Sequence, residues 1–446
     1  MMISVHISSI ERGYFVDYIS QINQFCDYFK RHEKSPEEFR IGIEVEHFII
    51  DKDTFKTISY YGKDGVGETL KDMERKGWIG NYEGENILGV STNNKYITLE
   101  PGSQLELSIA PQESIEELEK EYLGFLHEII PILERKNQFI IAVAYHPVSK
   151  IKDIKLIPKK RYDYMYEYFK NKGIYAHNMM KGTASFQVSI DYSSEEDYVK
   201  KFRIANAISP VMYAIFDSGY YFEGGTWDKN SLRSVIWENC DRDRCGIVPG
   251  VFDDDFGYRK YGEYILNIPP IFIYDGKNMY PTGEKLVKEI YEGKSISTEE
   301  LEHVLTMVFP DVRTKKYIEI RMMDAIPYPL NLSAVAFIKG LMYNQENLNV
   351  IYKYVKDLNE KDILKAKKSV VEKGLKGNIR EENILEVGQN LIDLAKRGLK
   401  VRELKYIEPL ENMLREEKNP YQIIREKENF GKKESLDWFI LNNILK

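Results

Sequence analysis

This chain has no run of eighteen or more apolar residues, which argues against a membrane-spanning helix, so no membrane partner is expected. It has no surplus of positive charge either. Its 63 Lys and Arg stand against 70 Asp and Glu, a formal net charge of −7, and no nucleic-acid partner is expected. Cysteine is scarce, with only Cys26, Cys240 and Cys245 in 446 residues. Three thiols make no disulfide framework, and Cys240 and Cys245 lack a second Cys or His pair at zinc spacing. The opening Met1-Met2-Ile3-Ser4-Val5-His6 shows no charged stretch leading into an apolar one, so no secretory leader is expected. Together these features predict a cytoplasmic protein.

The familiar nucleotide and hydrolase signatures are missing too. Gly293-Lys294-Ser295 has Lys288 where a phosphate loop needs its first glycine, and neither Gly-x-Gly-x-x-Gly nor Gly-x-Ser-x-Gly occurs. A nucleotide bound here must be held by metal ions and arginines rather than by a glycine cradle.

What is present is enough apolar sequence, 43%, for a sizeable core. The length allows two or three domains, or one large domain with elaborations. Helical periodicity is read over residues 14–33, 65–76, 115–136, 158–170 and 194–217, with Ser114 and Glu117 as a capping box. Strands are read near 40–51, 86–90, 95–100, 104–109, 139–144 and 182–192. Residues 218–283 are aromatic and rich in Gly and Pro, and read as functional loops. Beyond Leu332 the pattern is almost wholly helical. The predicted fold is α+β: an antiparallel sheet flanked by helices over residues 1–330, with a helical C-terminal region, 331–446, packed on it.

The most informative residues are Glu319 and Arg321, which share one face of the strand pattern Tyr317-Ile318-Glu319-Ile320-Arg321. An acid and a guanidinium on a covered sheet face are costly unless they bind something. Glu44 and Glu46 repeat the period, as do Glu106, Gln104 and Ser108, with Glu100 just across the Pro101-Gly102 turn. Exposed Glu is common on edge strands, but Ile41, Ile43, Val45 and Phe48 around the first pair point to a central strand. Three such segments suit a polynuclear magnesium site. Ser185, Gln187, Ser189 and Asp191 form a further polar face, either solvent-facing or ligand-facing. Arg233, Trp237, Arg242 and Arg244 lie in a polar stretch that reads either as a salt-bridged surface loop or as a grip for a carboxylate.

These segments, taken in order, resemble the glutamate–cysteine ligases of the plant and proteobacterial branch. The resemblance rests on Arg40-Ile41-Gly42-Ile43-Glu44-Val45-Glu46, on Leu99-Glu100-Pro101-Gly102-Ser103-Gln104-Leu105-Glu106-Leu107-Ser108, and on Met179-Met180 with Thr183 and Gln187 to Asp191. It continues through Arg233-Ser234-Val235-Ile236-Trp237, Asp243-Arg244-Cys245-Gly246, and Phe309-Pro310-Asp311-Val312-Arg313 to Glu319-Ile320-Arg321 and Asp324. Ser103, Ser189, Cys245 and Met322-Met323 depart from the family pattern without removing a charge.

The resemblance implies a glutamine synthetase-like curved sheet holding two or three magnesium ions, with manganese as an alternative, and ATP. Glu44, Glu46, Glu100, Glu106 and Glu319 would be metal ligands. Arg321 and Glu319 would be catalytic, with Gln187, Arg233, Arg244, Trp237 and Arg313 binding substrate. The implied reaction joins the γ-carboxylate of glutamate to the amine of cysteine through γ-glutamyl phosphate, the first step of glutathione biosynthesis. Three other readings stay open on the residues alone: the same chemistry with another amine acceptor, a silent binding protein on the same fold, and a metal-dependent phosphohydrolase. Monomer and homodimer are equally open.

Overall fold

Residues 10–274, 276 and 278–445 are described by a computed structural model, 10–17 by backbone alone. The N-terminal segment read above for a leader lies outside them. Alternation decides the centre of the fold. In Ile41–Asp51 (β1) the side chains of Ile41, Ile43 and Val45 are buried, while Glu44 and Glu46 on the opposite face are only partly covered. The remaining strands of the main sheet are Ile79–Glu83 (β2), Asn86–Ser91 (β3), Lys95–Leu99 (β4), Leu105–Gln112 (β5), Gln138–Ile141 (β6), Ser185–Ile190 (β7), Val312–Thr314 (β8) and Ile318–Asp324 (β9). They pair antiparallel in the order β8-β9-β7-β1-β5-β4-β3-β2, with β6 on the second half of β1. The strand β1 is therefore interior, as its apolar residues require.

The long helix Ile115–Arg135 begins as read: Glu117 donates its N–H to Ser114 Oγ, and the Glu117 carboxylate accepts the Ser114 N–H. Elsewhere the structure corrects the reading. The helix read over 194–217 is two helices, Glu195–Ala207 and Ser209–Ile215. Pro210 lacks the N–H a continuous helix needs, but fits the first turn of a new one. The strand β2 was missed because Ile79-Gly80-Asn81-Tyr82-Glu83 has no buried face. It is an edge strand held by backbone pairing, with Ile79 68% exposed. The stretch 218–283 is not all loop, since it holds the helices Leu232–Glu238 and Tyr258–Leu266, too short to show a convincing period.

After β9 the described residues form mainly helices, with strand pairing confined to Asn378–Ile379 with Glu382–Asn383 and a single bridge of Ile440 to Ile141. Helix Leu330–Met342 is buried on nearly all sides because Ile384–Gly398 and Leu404–Arg415 cover the faces the sheet leaves. One apolar core takes in residues from Ile22 to Leu441. Among the described residues no helix is long and apolar enough to cross a membrane.

Candidate active site

Strand register assembles the acids. Across β1 and β5, Glu46 stands opposite Glu106; across β4 and β5, Thr98 stands opposite Glu106 and donates its hydroxyl to it at 2.8 Å. Across β1 and β7, Glu44 faces Gln187; across β7 and β9, Ser189 faces Glu319; across β8 and β9, Arg313 faces Glu319. Directly opposite residues share a face, so residues from six strands converge on one cavity of about 320 Å³.

Glu44, Glu46, Glu100 and Glu106 all line it. Ser185 donates its backbone N–H and its hydroxyl to Glu46 at 2.7 and 2.8 Å. Glu100 accepts from the Tyr162 hydroxyl at 3.2 Å. The Pro101-Gly102 turn that sets Glu100 against Glu106 is tight. Gly102 lies against the Lys181 backbone, and a Cβ there would come within 2.4 Å of the Lys181 carbonyl oxygen. Burial raises the Glu46 carboxyl above its ordinary range, and Glu100 and Glu106 add to the rise. Burial does the same to Glu44, with Glu319 the next cause.

Opposite the acids stand the cations. Glu319 is fully buried and accepts from Arg313 Nε at 2.7 Å, Arg321 Nη1 at 2.8 Å and Lys315 Nζ at 2.9 Å. Burial opposes its ionisation, but Arg313, Lys315 and Arg321 outweigh it and hold the carboxyl well below the usual range. Three positive charges around one negative leave an excess of positive charge beside the cavity. Between Ile320 and Met323 the strand β9 carries one more residue than its partner between Val188 and Phe186. That bulge carries Arg321, which also donates to the Gln187 side chain.

A third group has donors to spare. Arg233 is 3% exposed, and its Nη atoms are spent on the carbonyls of Met323 (2.9 Å), Met322 (3.3 Å) and Arg321 (3.4 Å). Its Nε, the Nε of Arg161 and Nε1 of Trp237 are buried without a partner, and all three residues line the cavity. Buried donors are rarely left this way, so the cavity wall is built to meet an acceptor.

The structure also redistributes the sequence-derived residues. Arg244 does not reach the cavity. It is fully buried, and each of its nitrogens is already engaged, by Asp241 (2.7 Å), the Met307 carbonyl (2.7 Å), the Pro269 carbonyl (2.9 Å) and the Tyr168 hydroxyl (2.5 Å). Arg233 and Trp237 lie on a helix rather than in a surface loop. Lys159, Arg161 and Lys315 were not singled out yet line the cavity. The signal for the first two was the run Lys159-Lys160-Arg161 at the start of the helix Lys160–Phe169, read above only for its periodicity.

Among the described residues no three His, Cys, Asp or Glu side chains stand close enough to share a metal ion as they lie. The donor chemistry nevertheless fits a hard divalent cation at Glu44, Glu46, Glu100 and Glu106, each of which lines the cavity without a direct ion pair to a Lys or Arg among the described residues. It does not fit at Glu319, whose two oxygens are committed to three cations.

Comparison with known proteins places these features in a family. The model of glutamate–cysteine ligase family 2 matches residues 40–436. The chain is 32% identical over 380 residues to a chloroplastic glutamate–cysteine ligase of Nicotiana tabacum, covering 83% of this chain and 72% of the relative. It is 34% identical over 384 residues to that of Brassica juncea, covering 84% and 74%. A crystal structure of glutamate–cysteine ligase from Francisella tularensis in complex with AMP shares the fold. Its TM-score is 0.55 at 13% identity, over 90% of this chain and 87% of that one. The α+β expectation stands. The cytoplasmic expectation does not, because these plant relatives are chloroplastic by name. Scarce cysteine does not distinguish one compartment from another.

Proposed function

The chain belongs to glutamate–cysteine ligase family 2, and from that premise we propose that it joins the γ-carboxylate of glutamate to the amine of L-cysteine, driven by ATP. The observation that carries this reading is the facing of four carboxylates and an excess of cations across one cavity, with unpaired Arg and Trp donors on its wall. A carboxylate resists nucleophiles because it is negatively charged and lacks a leaving group. Transfer of the terminal phosphoryl group of ATP to a γ-carboxylate oxygen gives an acyl phosphate and ADP. The cysteine amine then attacks the acyl carbon, the carbon–oxygen bond to phosphate breaks, and the amine loses its proton. No protein nucleophile is needed.

Arg321, with Arg313 and Lys315 beside it, meets the charge on the transferred group, while Glu319 holds these cations in place. Arg233, Arg161 and Trp237 offer their free N–H groups to substrate carboxylates, and Gln187 fixes Arg321 from the neighbouring strand. Magnesium or manganese at Glu44, Glu46, Glu100 and Glu106 would supply charge neutralisation and orientation of the phosphates. Residues 1–330 carry the chemistry in this reading, and 331–446 buttress them from behind.

The test is magnesium-dependent ADP release with glutamate, comparing L-cysteine, other amines and no amine. Stimulation by cysteine that is lost in Arg321→Ala is the expected result. Preference for another amine would keep the mechanism and change the product, and release indifferent to any amine would overturn the ligase reading.

A further inference from the structure

Behind the cavity lie two buried carboxylates that the reaction does not use. Asp217 and Asp324 are 1% and 3% exposed, deeper than any acid of the cavity face except Glu319. Asp217 accepts the backbone N–H of Ser231 at 2.7 Å and of Gly219 at 2.9 Å. Ser231 sits at φ +52° immediately before the helix Leu232–Glu238, and its own side chain caps nothing. The helix that carries Arg233 and Trp237 is thus anchored at its start by a carboxylate from another segment. Asp324 closes strand β9, three residues beyond Arg321. It accepts the Ser218 N–H at 2.8 Å, and its other oxygen lies 3.6 Å from Arg233 Nη1. Ser218 ties the same point to the Ala325 carbonyl and the Ala144 N–H, each at 2.9 Å. The segment 217–219 therefore joins the start of the Arg233 helix to the end of the Arg321 strand.

The geometry at Arg233 shows what this accomplishes. With Asp324 and three carbonyls occupying the Nη side, the guanidinium has one orientation, and its Nε edge is the donor left unpartnered. Freed from Asp324, the guanidinium could turn and spend that donor elsewhere. We propose that Asp217 and Asp324 are positioning residues that fix the Arg233 guanidinium, and the helix bearing it, so that its free N–H meets the carboxylate of an amino-acid substrate. This rests on the ligase reading and deepens it, since it assigns one substrate group to one donor.

Asp324→Asn tests it. The amide keeps the acceptor for Ser218 but turns the ion pair into a clash of donors at Arg233. Asp217→Asn leaves a single carbonyl oxygen to serve two N–H groups. Ser218→Ala is the control, because it perturbs the same buried junction without touching Arg233. Steady-state ADP release is measured against glutamate, cysteine and ATP in turn, with thermal unfolding of each variant. Asp324→Asn should raise KM for one amino-acid substrate roughly 10- to 100-fold, a change of about 1.4 to 2.8 kcal/mol in binding. KM for ATP should stay within twofold and kcat within threefold, and Asp217→Asn should shift the same KM in the same direction. Ser218→Ala should lower the melting temperature without shifting that KM. Unchanged KM values in Asp324→Asn, or losses in all variants that simply follow melting temperature, would overturn the proposal. A wild type that releases no ADP with glutamate and cysteine would overturn the ligase reading, and this inference with it.

Discussion

Replacing Glu319 by Gln separates two roles that predict opposite signs. The carboxylate is fully buried and takes Arg313, Arg321 and Lys315 at 2.7, 2.8 and 2.9 Å. Two unit charges about 4 Å apart attract by roughly 4 kcal/mol at an effective dielectric constant near 20. These terms do not simply add, and burial has already cost part of them. Removing one partner of a buried pair typically costs about 3–5 kcal/mol, because the other charge is left uncompensated. Here three cations are left. The amide also presents a donor to a cation in either orientation, since both carboxylate oxygens are in use. Glu319→Gln should therefore unfold at lower urea in the presence of EDTA, by about 3–5 kcal/mol. ATP or tripolyphosphate should restore more stability to the variant than to the wild type, because the anion meets the surplus cations. A residue serving chiefly as a metal ligand would behave in the reverse way. With metal stripped, its removal would relieve Glu44, whose carboxyl Glu319 helps to push upward. A variant as stable as the wild type in EDTA would refute the counter-ion role.

Trp237→Phe should keep the ring contact with Phe309 (centroids 6.1 Å apart) and, because Nε1 has no partner to lose, leave stability within about 1 kcal/mol. If that N–H serves a charged substrate group, KM for one amino-acid substrate should rise roughly 10-fold or more, read by ADP release. His47 and His146 are fully buried, and burial pushes their imidazoles down from 6.5 to about 4 and about 3. The unfolded chain takes up these protons near pH 6.5 and the folded chain does not, so stability is full above that pH and falls on acidification toward the folded values. His47→Gln should lose about 2–3 kcal/mol less than the wild type between pH 7 and 4.5, measured by urea unfolding. Gly102→Ala forces a Cβ to within 2.4 Å of the Lys181 carbonyl oxygen, and should cost about 1–3 kcal/mol in thermal unfolding and lower kcat by disturbing Glu100 against Glu106.

Some of this was legible from one dimension because the physics is local. Period-2 alternation around Ile43, Val45 and Leu107 places their apolar side chains on one face, and thereby Glu44, Glu46 and Glu106 together on the other. Ser114 and Glu117 announce their helix because both capping partners lie within one turn. The edge strand β2 escaped notice because a strand held only by backbone pairing leaves no hydrophobic trace in its side chains.

What tertiary structure alone decided is which charge meets which. Arg233, Arg244 and Arg313 look alike in sequence. Packing seals Arg244 under Met307 and Pro269, the pairing of β8 with β9 spends Arg313 on Glu319, and Arg233 keeps its Nε without a partner. The neighbours of Glu319 also come from strand pairing in three dimensions. Its alternation with Arg321 shows a shared face, but not that Arg313 arrives from the next strand and Lys315 from the preceding turn to occupy its oxygens. Side-chain period fixes the face on which a charge sits. Its partners depend on strand register and on how separate segments pack, and for a buried charge the partners determine what it can do.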